Sequence, residues 1–407
     1  MAHIEGLRIQ NYRALKDVVF GKTSDNLKAD ILPKMVTLIG PNGSGKSSVM
    51  DALGFLRDCL AEGVEEACDQ PHRGGFDRVR TRGVTDPIQF EVYYRQEKKA
   101  RPISYTLSIN AKKDGRPYVE KEMLRQARKE TKQGQLSRFL DLENGKGTAW
   151  SGESSADHEG TEKVPVELTD RQRLGITSLG NLADHPRIVA FRAFLESWYL
   201  SYFVPDMARG LPMSGAQKHL DRTGQNLANY VQHMERLQPK AFQAVLERTG
   251  RKIPGISKIS TKKSDDGRIL LQFNDRGYND PFYAQDMSDG TLKMFAYLLL
   301  LEDPEPAPLI GIEEPENGLH HQLLEPLAKQ MRDSSTKHNG PQIIVTTHSP
   351  MFVDALTPDD VWILEKDSSG HSSAVRASSI ASVKELAVEG IPLGSLWYSN
   401  HFGRGNP

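Results

Sequence analysis

Apolar and polar positions alternate in short blocks near both ends of the chain. Early on, the run Met35–Ile39 is of the buried-strand type, and Ser48–Leu60 carries apolar residues at helical spacing. Later segments predict helices and strands in turn, at Gly290–Leu301, Leu309–Ile312, His320–Arg332, Gln342–Thr346 and Val361–Glu365. This alternation predicts an α/β fold with a mixed or parallel core sheet that both ends of the chain complete.

The middle of the chain follows other patterns. Ile88–Tyr94 and Ile103–Ile109 alternate with period two, which predicts an antiparallel β-subdomain. Asn144–Lys163 shows no periodicity, whereas Leu179–Thr249 carries apolar stripes at helical spacing. We therefore predict four regions: an N-terminal lobe (1–140), a variable, flexible insertion (141–178), an inserted helical lobe (179–265) and a C-terminal lobe (266–407).

An octapeptide of the form G-x-x-x-x-G-K-[ST] joins the first core strand to its helix. A phosphate chain must be met by several backbone N–H groups at once, and glycine allows the positive φ angles and close approach that this requires. Lys46 would bring a charge to the β- and γ-phosphates of ATP, and Ser47 a hydroxyl ligand for Mg²⁺. The predicted nucleotide-binding residues are Gly40, Pro41, Asn42, Gly43, Ser44, Gly45, Lys46, Ser47 and Ser48.

Two adjacent carboxylates follow the predicted strand Leu309–Ile312. Ligands of open α/β sheets bind at the carboxyl ends of the strands. Glu313 is therefore placed to hold the Mg²⁺ shell, usually by way of water, and Glu314 to orient and deprotonate the attacking water. A solvated acidic turn is the alternative, but these acids follow a buried-type strand rather than a polar run.

Two more positions are candidates for contact with phosphate. His348 follows the strand Gln342–Thr346 and could sense the γ-phosphate or fix the water, although a lone histidine is more often structural. Ser288 would cap an apolar helix, and with Gly290 in the first turn it would leave free N–H groups at a positive helix end. An ordinary helix cap has the same pattern.

Taken in order, these motifs resemble those of ABC-type ATPases of the RecF, SMC and Rad50 group, and most of all the OLD-like (overcoming-lysogenization-defect) ATPases. The motifs that carry the resemblance are the signature Met287–Lys293, the Walker B acids Glu313–Glu316, the D-loop Asn317–Leu319 and the switch histidine His348. Ile9–Leu15 is similar to the family's N-terminal element, which implies that Asn11 and Arg13 approach the nucleotide, Arg13 near phosphate. For the Q-loop residue, Gln70 and Gln89 are only candidates.

The resemblance implies a slow ATPase that works as a dimer. In this superfamily the signature of one subunit closes over the ATP held by the P-loop of another. One chain carries one of each motif, so a working site would need two chains, in a homodimer or a higher oligomer. Ser288 and Gly290 would then reach the γ-phosphate bound by the partner subunit. Glu313 stands where Walker B more usually has aspartate, as in other OLD-like members.

The chain lacks parts that other family members carry. Leu179–Thr249 is too short and too aromatic for SMC or Rad50 coiled-coil arms, and the segment after His348 has no Toprim nuclease constellation. The leading hypothesis is the sensor or regulatory subunit of a bacterial anti-phage system with a separately encoded nuclease or toxin. The alternatives are a RecF-like repair ATPase that binds DNA under ATP control, and a nucleotide-gated scaffold that holds an effector protein with little turnover.

Charge and composition limit the kinds of partner that the chain could bind. The 407 residues carry a formal net charge of -1, so a nucleic-acid partner would need a local patch such as the basic segment Arg95–Arg138, which could equally be a solvated surface. Cys59 and Cys68 form no metal or disulfide motif, and no apolar run reaches the length of a membrane span. These features indicate a cytoplasmic protein with no membrane partner.

Overall fold

A computed structural model describes residues 1–127, 136–151, 162–215, 217–252 and 255–405. The strands are β1 His3–Tyr12, β2 Leu15–Gly21, β3 Met35–Ile39, β4 Ile88–Arg95, β5 Ile103–Ala111, β6 Pro117–Ala127, β7 Leu136–Glu143, β8 Lys146–Ser151, β9 Glu162–Glu167, β10 Tyr199–Ser201, β11 Ile256–Lys263, β12 Ile269–Asp275, β13 Phe282–Tyr283, β14 Leu309–Glu313, β15 Gln342–Thr346, β16 Val361–Lys366 and β17 Ser372–Arg376. The helices are α1 Lys46–Ala61, α2 Val64–Asp69, α3 Phe76–Val79, α4 Gly175–Leu179, α5 Pro186–Glu196, α6 Pro205–Ala208, α7 Leu227–Leu237, α8 Pro239–Lys252, α9 Asp289–Leu301, α10 Leu324–Thr336, α11 Pro350–Val353, α12 Ala381–Val388 and α13 Leu393–Tyr398.

A six-stranded sheet forms the core, in the order β10-β14-β15-β3-β16-β17. Every pair in it is parallel except β16 with β17, so the predicted core of both chain ends is confirmed. Glu313 pairs in register with Thr346, and Thr346 pairs with Leu38 of β3. The carboxyl ends of these strands therefore meet at one edge, where the P-loop begins.

The predicted antiparallel β-subdomain is an eight-stranded sheet in the order β2-β1-β4-β5-β6-β7-β8-β9. Helix α1 packs against it through Phe55, whose ring centroid lies 5.4 Å from that of Tyr12 and 5.9 Å from that of Phe90. These rings belong to an apolar cluster that also includes Val36 and Leu38 of the core sheet. The P-loop helix is thus held between the two sheets.

Within the expected insertion at residues 141–178, the part that the structure describes contains regular elements. Residues 146–151 and 162–167 form β8 and β9 at the edge of the eight-stranded sheet, and α4 follows. An edge strand exposes one face and one side to water, so its sequence lacks a strong apolar alternation. Residues 152–161 of the expected insertion lie outside the described residues.

The region expected to be a helical lobe also contributes to the core sheet. Residues 199–201 form β10, which pairs in parallel with β14 at the sheet edge. Helices α7 and α8 pack on a three-stranded sheet, β11-β12-β13, and α9 is buried along Leu292–Leu301 in the second apolar cluster. Among the described residues, no helix combines the length and apolar character needed to cross a membrane.

Candidate active site

The P-loop has the backbone that its glycines permit. Gly40, Gly43 and Gly45 have φ angles of 139°, 76° and 106°, a region that favours glycine. A Cβ on Gly45 would lie 2.4 Å from the Oγ of Ser372, and one on Gly40 would lie 2.1 Å from the carbonyl oxygen of Leu364. Two of the three glycines are therefore required by close packing as well as by conformation.

Lys46 folds back over the loop that precedes it. Its Nζ donates to the carbonyl oxygens of Gly40 at 2.8 Å and Pro41 at 3.0 Å. Burial lowers the pKa of Lys46 to about 8, and the nearby carboxylates of Glu314 and Glu316 oppose this shift. The amine is thus held beside the backbone that would wrap a phosphate.

The other P-loop positions divide between packing and exposure. Pro41 and Asn42 are exposed and Ser48 is half-buried in α1. The backbone carbonyl of Ser44 accepts from Ser372 Oγ at 2.7 Å, but the buried Oγ of Ser44 has no hydrogen-bond partner among the described residues. A buried hydroxyl without a partner at this turn is suited to a phosphate oxygen.

Glu313 lies at the carboxyl end of β14 beside Ser47. The Ser47 side chain hydrogen-bonds to its carboxylate, and burial together with Glu314 and Asp51 raises the pKa of Glu313 to about 7. Three carboxylates so close together repel one another, and a divalent cation would relieve that repulsion. The donor set of Ser47 and Glu313, all oxygen, fits Mg²⁺.

Glu314 is held in a specific backbone conformation. Its φ is 40°, and its N–H donates to both the carbonyl oxygen (2.9 Å) and the Oγ1 (3.2 Å) of Thr346. Its Oε2 accepts from Asn317 Nδ2 at 2.7 Å, and its Oε1 lies 3.5 Å from His348 Nε2. The structure therefore brings Glu314 and His348 together, as the sequence predicted for two residues of one site.

The remaining Walker B acid fixes the switch histidine. Glu316 Oε1 accepts from the backbone N–H of His348 at 2.5 Å, while its buried Oε2 has no hydrogen-bond partner among the described residues. Partial burial and the nearby charge of Lys46 lower the pKa of His348. The ring is therefore neutral near pH 7 and can accept or donate a hydrogen bond.

Lys293 was missed by the sequence reasoning as a site residue. It is buried in α9, and its Nζ donates to the carbonyl oxygens of Asn317 at 2.7 Å and Glu314 at 3.4 Å. It thus fixes the turn that carries Glu314. The available signal was a lysine within an otherwise apolar helix, since such a charge must find a partner.

The signature turn lies against that same D-loop. Ser288 is the exposed N-cap of α9, and its Oγ accepts from the N–H of Thr291 at 3.3 Å. A Cβ on Gly290 would lie 2.9 Å from the carbonyl oxygen of Gly318. The signature therefore packs on the D-loop, and Ser288 and Gly290 line neither of the two cavities that Arg13 lines.

One of these cavities, of about 580 Å³, opens beside Ser47 and Glu313. Asp51, one helical turn after Ser47, lies at its wall and pairs with Arg13, His72 and Arg73 at 2.9, 3.1 and 2.9 Å. Burial would raise the pKa of Asp51, but Arg73, Tyr12 and Arg13 lower it overall. Sequence reasoning missed Asp51, His72 and Arg73; the i, i+4 spacing from Ser47 was the one signal for Asp51.

The second cavity, of about 340 Å³, lies on the β16 side of the P-loop. Its described lining has no carboxylate and five cationic side chains, from Arg13, Arg78, Arg80, Arg82 and Lys366. Arg13 lines both cavities, so it stands between them.

The Asn11 amide donates to the carbonyl oxygen of Pro87 at 2.9 Å and so fixes the loop before β4.

The other predicted residues lie elsewhere. Gln89 lines a separate groove on the eight-stranded sheet, and Gln70 donates to Glu62 at 2.9 Å. Neither glutamine lines the cavity beside Ser47, where Ser201 and Tyr202 at the end of β10 lie instead. In the basic segment, Lys112, Lys113 and Arg116 are exposed around the turn between β5 and β6.

Comparisons with known proteins identify the family and the fold of the chain. A family profile described as "AAA domain, putative AbiEii toxin, Type IV TA system" matches residues 35–354. No curated protein matches the chain.

Among solved structures, an SMC head bound to the C-terminal winged-helix domain of ScpA is similar, with a TM-score of 0.53, 13% identity, and coverage of 92% of this chain and 97% of that one. An SMC head with a coiled coil and joint from Pyrococcus yayanosii gives a TM-score of 0.49 at 12% identity, over 95% of this chain and 100% of that one. The first of these structures shares its fold with nearly the whole chain. The chain belongs to this AAA-domain family and has the fold of an ABC-type P-loop ATPase.

Proposed function

We propose that the protein binds and slowly hydrolyses ATP, and that ATP engages two copies of the chain in a dimeric switch. ATP hydrolysis and ATP-dependent pairing of two copies go beyond the P-loop ATPase fold and family reported above. It is supported by the geometry at the carboxyl edge of the core sheet, where the P-loop, two acids and a histidine meet.

The sheet order gives the direction in which ATP would lie. Strands β14 and β15, which carry Glu313, Glu314 and His348, lie on one side of β3, and β16 lies on the other. The γ-phosphate would therefore face the acids, and the nucleoside would extend toward the cavity that Arg13 and Lys366 line. Arg13, which lines both cavities, would then contact phosphate.

The chemistry assigned to each residue follows from its surroundings. Ser47 and Glu313 would hold Mg²⁺, which when bound neutralises phosphate charge in such sites. Glu314 would accept the proton of the attacking water, with His348 within reach to hold that water or the γ-phosphate. Lys46, freed from its two carbonyl partners, would move its charge to the β- and γ-phosphates.

One observation carries the dimer part of the proposal. Ser288 is exposed at the N-terminal end of α9, and Gly290 of the signature turn lies against Gly318 of the D-loop. A free helix N-terminus presents N–H groups and a positive dipole end suited to phosphate. Ser288 and Gly290 line neither of the two cavities that Arg13 lines, which supports a role for this turn at the ATP held by a second copy.

The biological role rests on the family rather than on geometry. The family description names a putative AbiEii toxin and a type IV toxin–antitoxin system, which supports a role in a toxin system. The resemblance to OLD-like ATPases supports a regulatory part in anti-phage defence. In such a system the ATP state of the dimer would control a separately encoded nuclease or toxin. ScpA bound to the SMC head supports the general idea that a head of this fold docks another protein.

Turnover tests the enzymatic part of the proposal. Wild type should hydrolyse ATP in the presence of Mg²⁺, whereas Lys46→Ala should lose nucleotide binding and Glu314→Gln should bind ATP without cleaving it. Equal hydrolysis by wild type and Glu314→Gln would show that Glu314 is not the base. A wild type that binds ATP and an effector but shows no turnover would instead favour the scaffold alternative.

A second candidate, ATP-controlled DNA binding, is favoured by the exposed basic turn between β5 and β6. Reversing the charges of Lys112, Lys113 and Arg116 should weaken DNA binding and reduce its dependence on salt, because fewer counterions are released. Absence of DNA binding by the ATP-bound wild type would remove this candidate.

A further inference from the structure

A short segment, residues 199–209, connects the cavity beside Ser47 and Glu313 with the signature turn. It begins as β10, where Ser201 pairs in register with Ile312, the residue before Glu313. Ser201 and Tyr202 then line the cavity beside Ser47. Helix α6 follows, packs on α9 and ends just before Arg209.

Arg209 binds the signature turn directly through its side chain. Its Nη2 donates to the carbonyl oxygen of Met287 at 2.8 Å and also pairs with the carboxylate of Asp289. The side-chain amide of Gln285 donates back to the Arg209 carbonyl oxygen. Met287 and Asp289 flank Ser288, so one guanidinium fixes the backbone on both sides of the helix cap.

The segment is also tied to the loop before α7. The N–H of Tyr202 donates to the carbonyl oxygen of Arg222 at 2.8 Å, and that of Val204 to Thr223 at 3.0 Å. The turn that supplies these acceptors is closed by Asp221, whose carboxylate accepts N–H bonds from residues 223–226. Residues 202–204 therefore cannot shift independently of this loop.

We infer that Arg209 is a positioning residue for the signature: it sets the orientation in which Ser288 and Gly290 present their N–H groups to the γ-phosphate end of ATP on a second copy of the chain. The inference rests on the proposed composite site. It adds that Arg209 acts on the ATP of the partner subunit and not on the ATP of its own P-loop. The physical reason is that Arg209 holds the signature backbone, and that Ser288 and Gly290 of this signature line neither of the two cavities that Arg13 lines.

Mixing two inactive variants tests the direction of this effect. Arg209→Ala alone should bind ATP like wild type and lose roughly 10- to 100-fold in turnover, because a small misplacement of a catalytic turn is costly. Lys46→Ala alone should not bind ATP. In an equal mixture, each mixed dimer has one intact composite site, formed by the P-loop of the Arg209→Ala chain and the signature of the Lys46→Ala chain. Turnover of the mixture should therefore rise several-fold above that of either variant alone.

The same mixture made with Ser288→Arg in place of Arg209→Ala distinguishes the role of Arg209 from the existence of the composite site. Recovery with Ser288→Arg but not with Arg209→Ala would overturn the role of Arg209 and leave the composite site standing. Recovery with neither would overturn both.

Two further variants separate positioning from folding. Asp206→Ala removes a partner of Arg209 at 2.6 Å that does not touch the signature, and it should keep wild-type turnover. Arg209→Lys keeps the charge but cannot make the forked contact, so it should recover part of the lost turnover. An Arg209→Ala variant that loses its own ATP binding would also overturn the inference, since a positioning role leaves the P-loop intact.

Discussion

The Nε2 atom of His348 lies 3.5 Å from the Oε1 atom of Glu314. The other carboxylate oxygen of Glu314 accepts from Asn317 at 2.7 Å, so the D-loop holds this carboxylate on one side and the switch histidine lies beside it on the other. Partial burial and Lys46 lower the pKa of His348, which keeps the ring neutral at pH 7. A neutral ring leaves the negative charge of Glu314 free to take a proton from water.

Replacing either member of this pair should slow chemistry without weakening ATP binding. We expect Glu314→Gln to lose roughly 10²- to 10⁴-fold in turnover, the range of a general base. His348→Ala should lose less, because the ring positions a group rather than taking the proton. Steady-state phosphate release and fluorescent ATP binding would measure both, and a His348→Ala variant that no longer binds ATP would contradict this division of roles.

The P-loop glycines offer a matched pair of substitutions. Gly45→Ala and Gly43→Ala both place a side chain at positive φ, which costs about 1–2 kcal/mol. Only the Cβ on Gly45 would meet another atom closely, Ser372 Oγ at 2.4 Å, whereas that on Gly43 meets nothing within 4 Å. We expect Gly45→Ala to impair ATP binding more than Gly43→Ala.

Removing the close contact supplies the control. Adding Ser372→Ala to Gly45→Ala takes away the hydroxyl and should restore part of the ATP affinity. Equal affinities for the two single alanine variants would show that packing against Ser372 does not shape the loop.

Lys293 should contribute to both stability and turnover. Lys293→Met keeps the apolar stem but removes the 2.7 Å donor to the carbonyl of Asn317, whereas the carbonyl of Glu314 keeps the N–H of Asn317 at 3.1 Å. This loss should cost about 1–3 kcal/mol of unfolding free energy. Turnover should fall too, because Glu314 sits at a φ of 40° that its surroundings must maintain. Lys329→Met, on the exposed face of α10, is the control for denaturation and turnover assays. A Lys293→Met variant with wild-type turnover would show that this contact is structural alone.

The sequence predicts the centre of the site well because its signals are local. The strand, the glycine turn and the helix that present Lys46 and Ser47 are consecutive, and Glu313 and Glu314 directly follow a buried strand. Parallel pairing then brings the ends of such strands to one edge, so contacts between distant motifs follow from fold class.

The sequence does not predict contacts that depend on distant segments. The pairs of Asp51 with Arg13 and Arg73 join three separate elements, and no spacing reveals them. Strand β10 has only three residues within a region of helical pattern, so its place in the core sheet depends on β14. The contact of Arg209 with the signature has the same origin, because its partners Met287 and Asp289 are 78 and 80 residues away in sequence.

Glu122 gives the fold a dependence on pH that is independent of ATP. It is fully buried and accepts from Tyr105 Oη at 3.0 Å and from the N–H groups of Gly175 and Ile176 at 2.5 and 3.1 Å. Burial raises the pKa of Glu122 from 4.5 to about 7, while these three donors oppose the shift. The folded state then binds a proton that the unfolded state releases between these pH values.

Stability should therefore be highest below the unfolded pKa and fall as pH rises toward 7, by about 3 kcal/mol for this group. Urea unfolding of wild type at pH 5 and pH 7 should show this fall, and Glu122→Gln should show less of it because the amide does not titrate. Tyr105→Phe, which removes one donor and leaves the carboxyl in place, should retain the dependence. The same pH dependence in wild type and Glu122→Gln would exclude Glu122 as its source.

The mass of Glu314→Gln in solution, measured by light scattering, tests the composite ATP site most directly. The chain has a mass of 45.4 kDa, and without nucleotide we expect that value. With ATP and Mg²⁺, Glu314→Gln should give twice the mass, and adding Ser288→Arg should return it to that of one chain although ATP still binds. A Glu314→Gln variant that binds ATP and remains a single chain would contradict the dimeric switch.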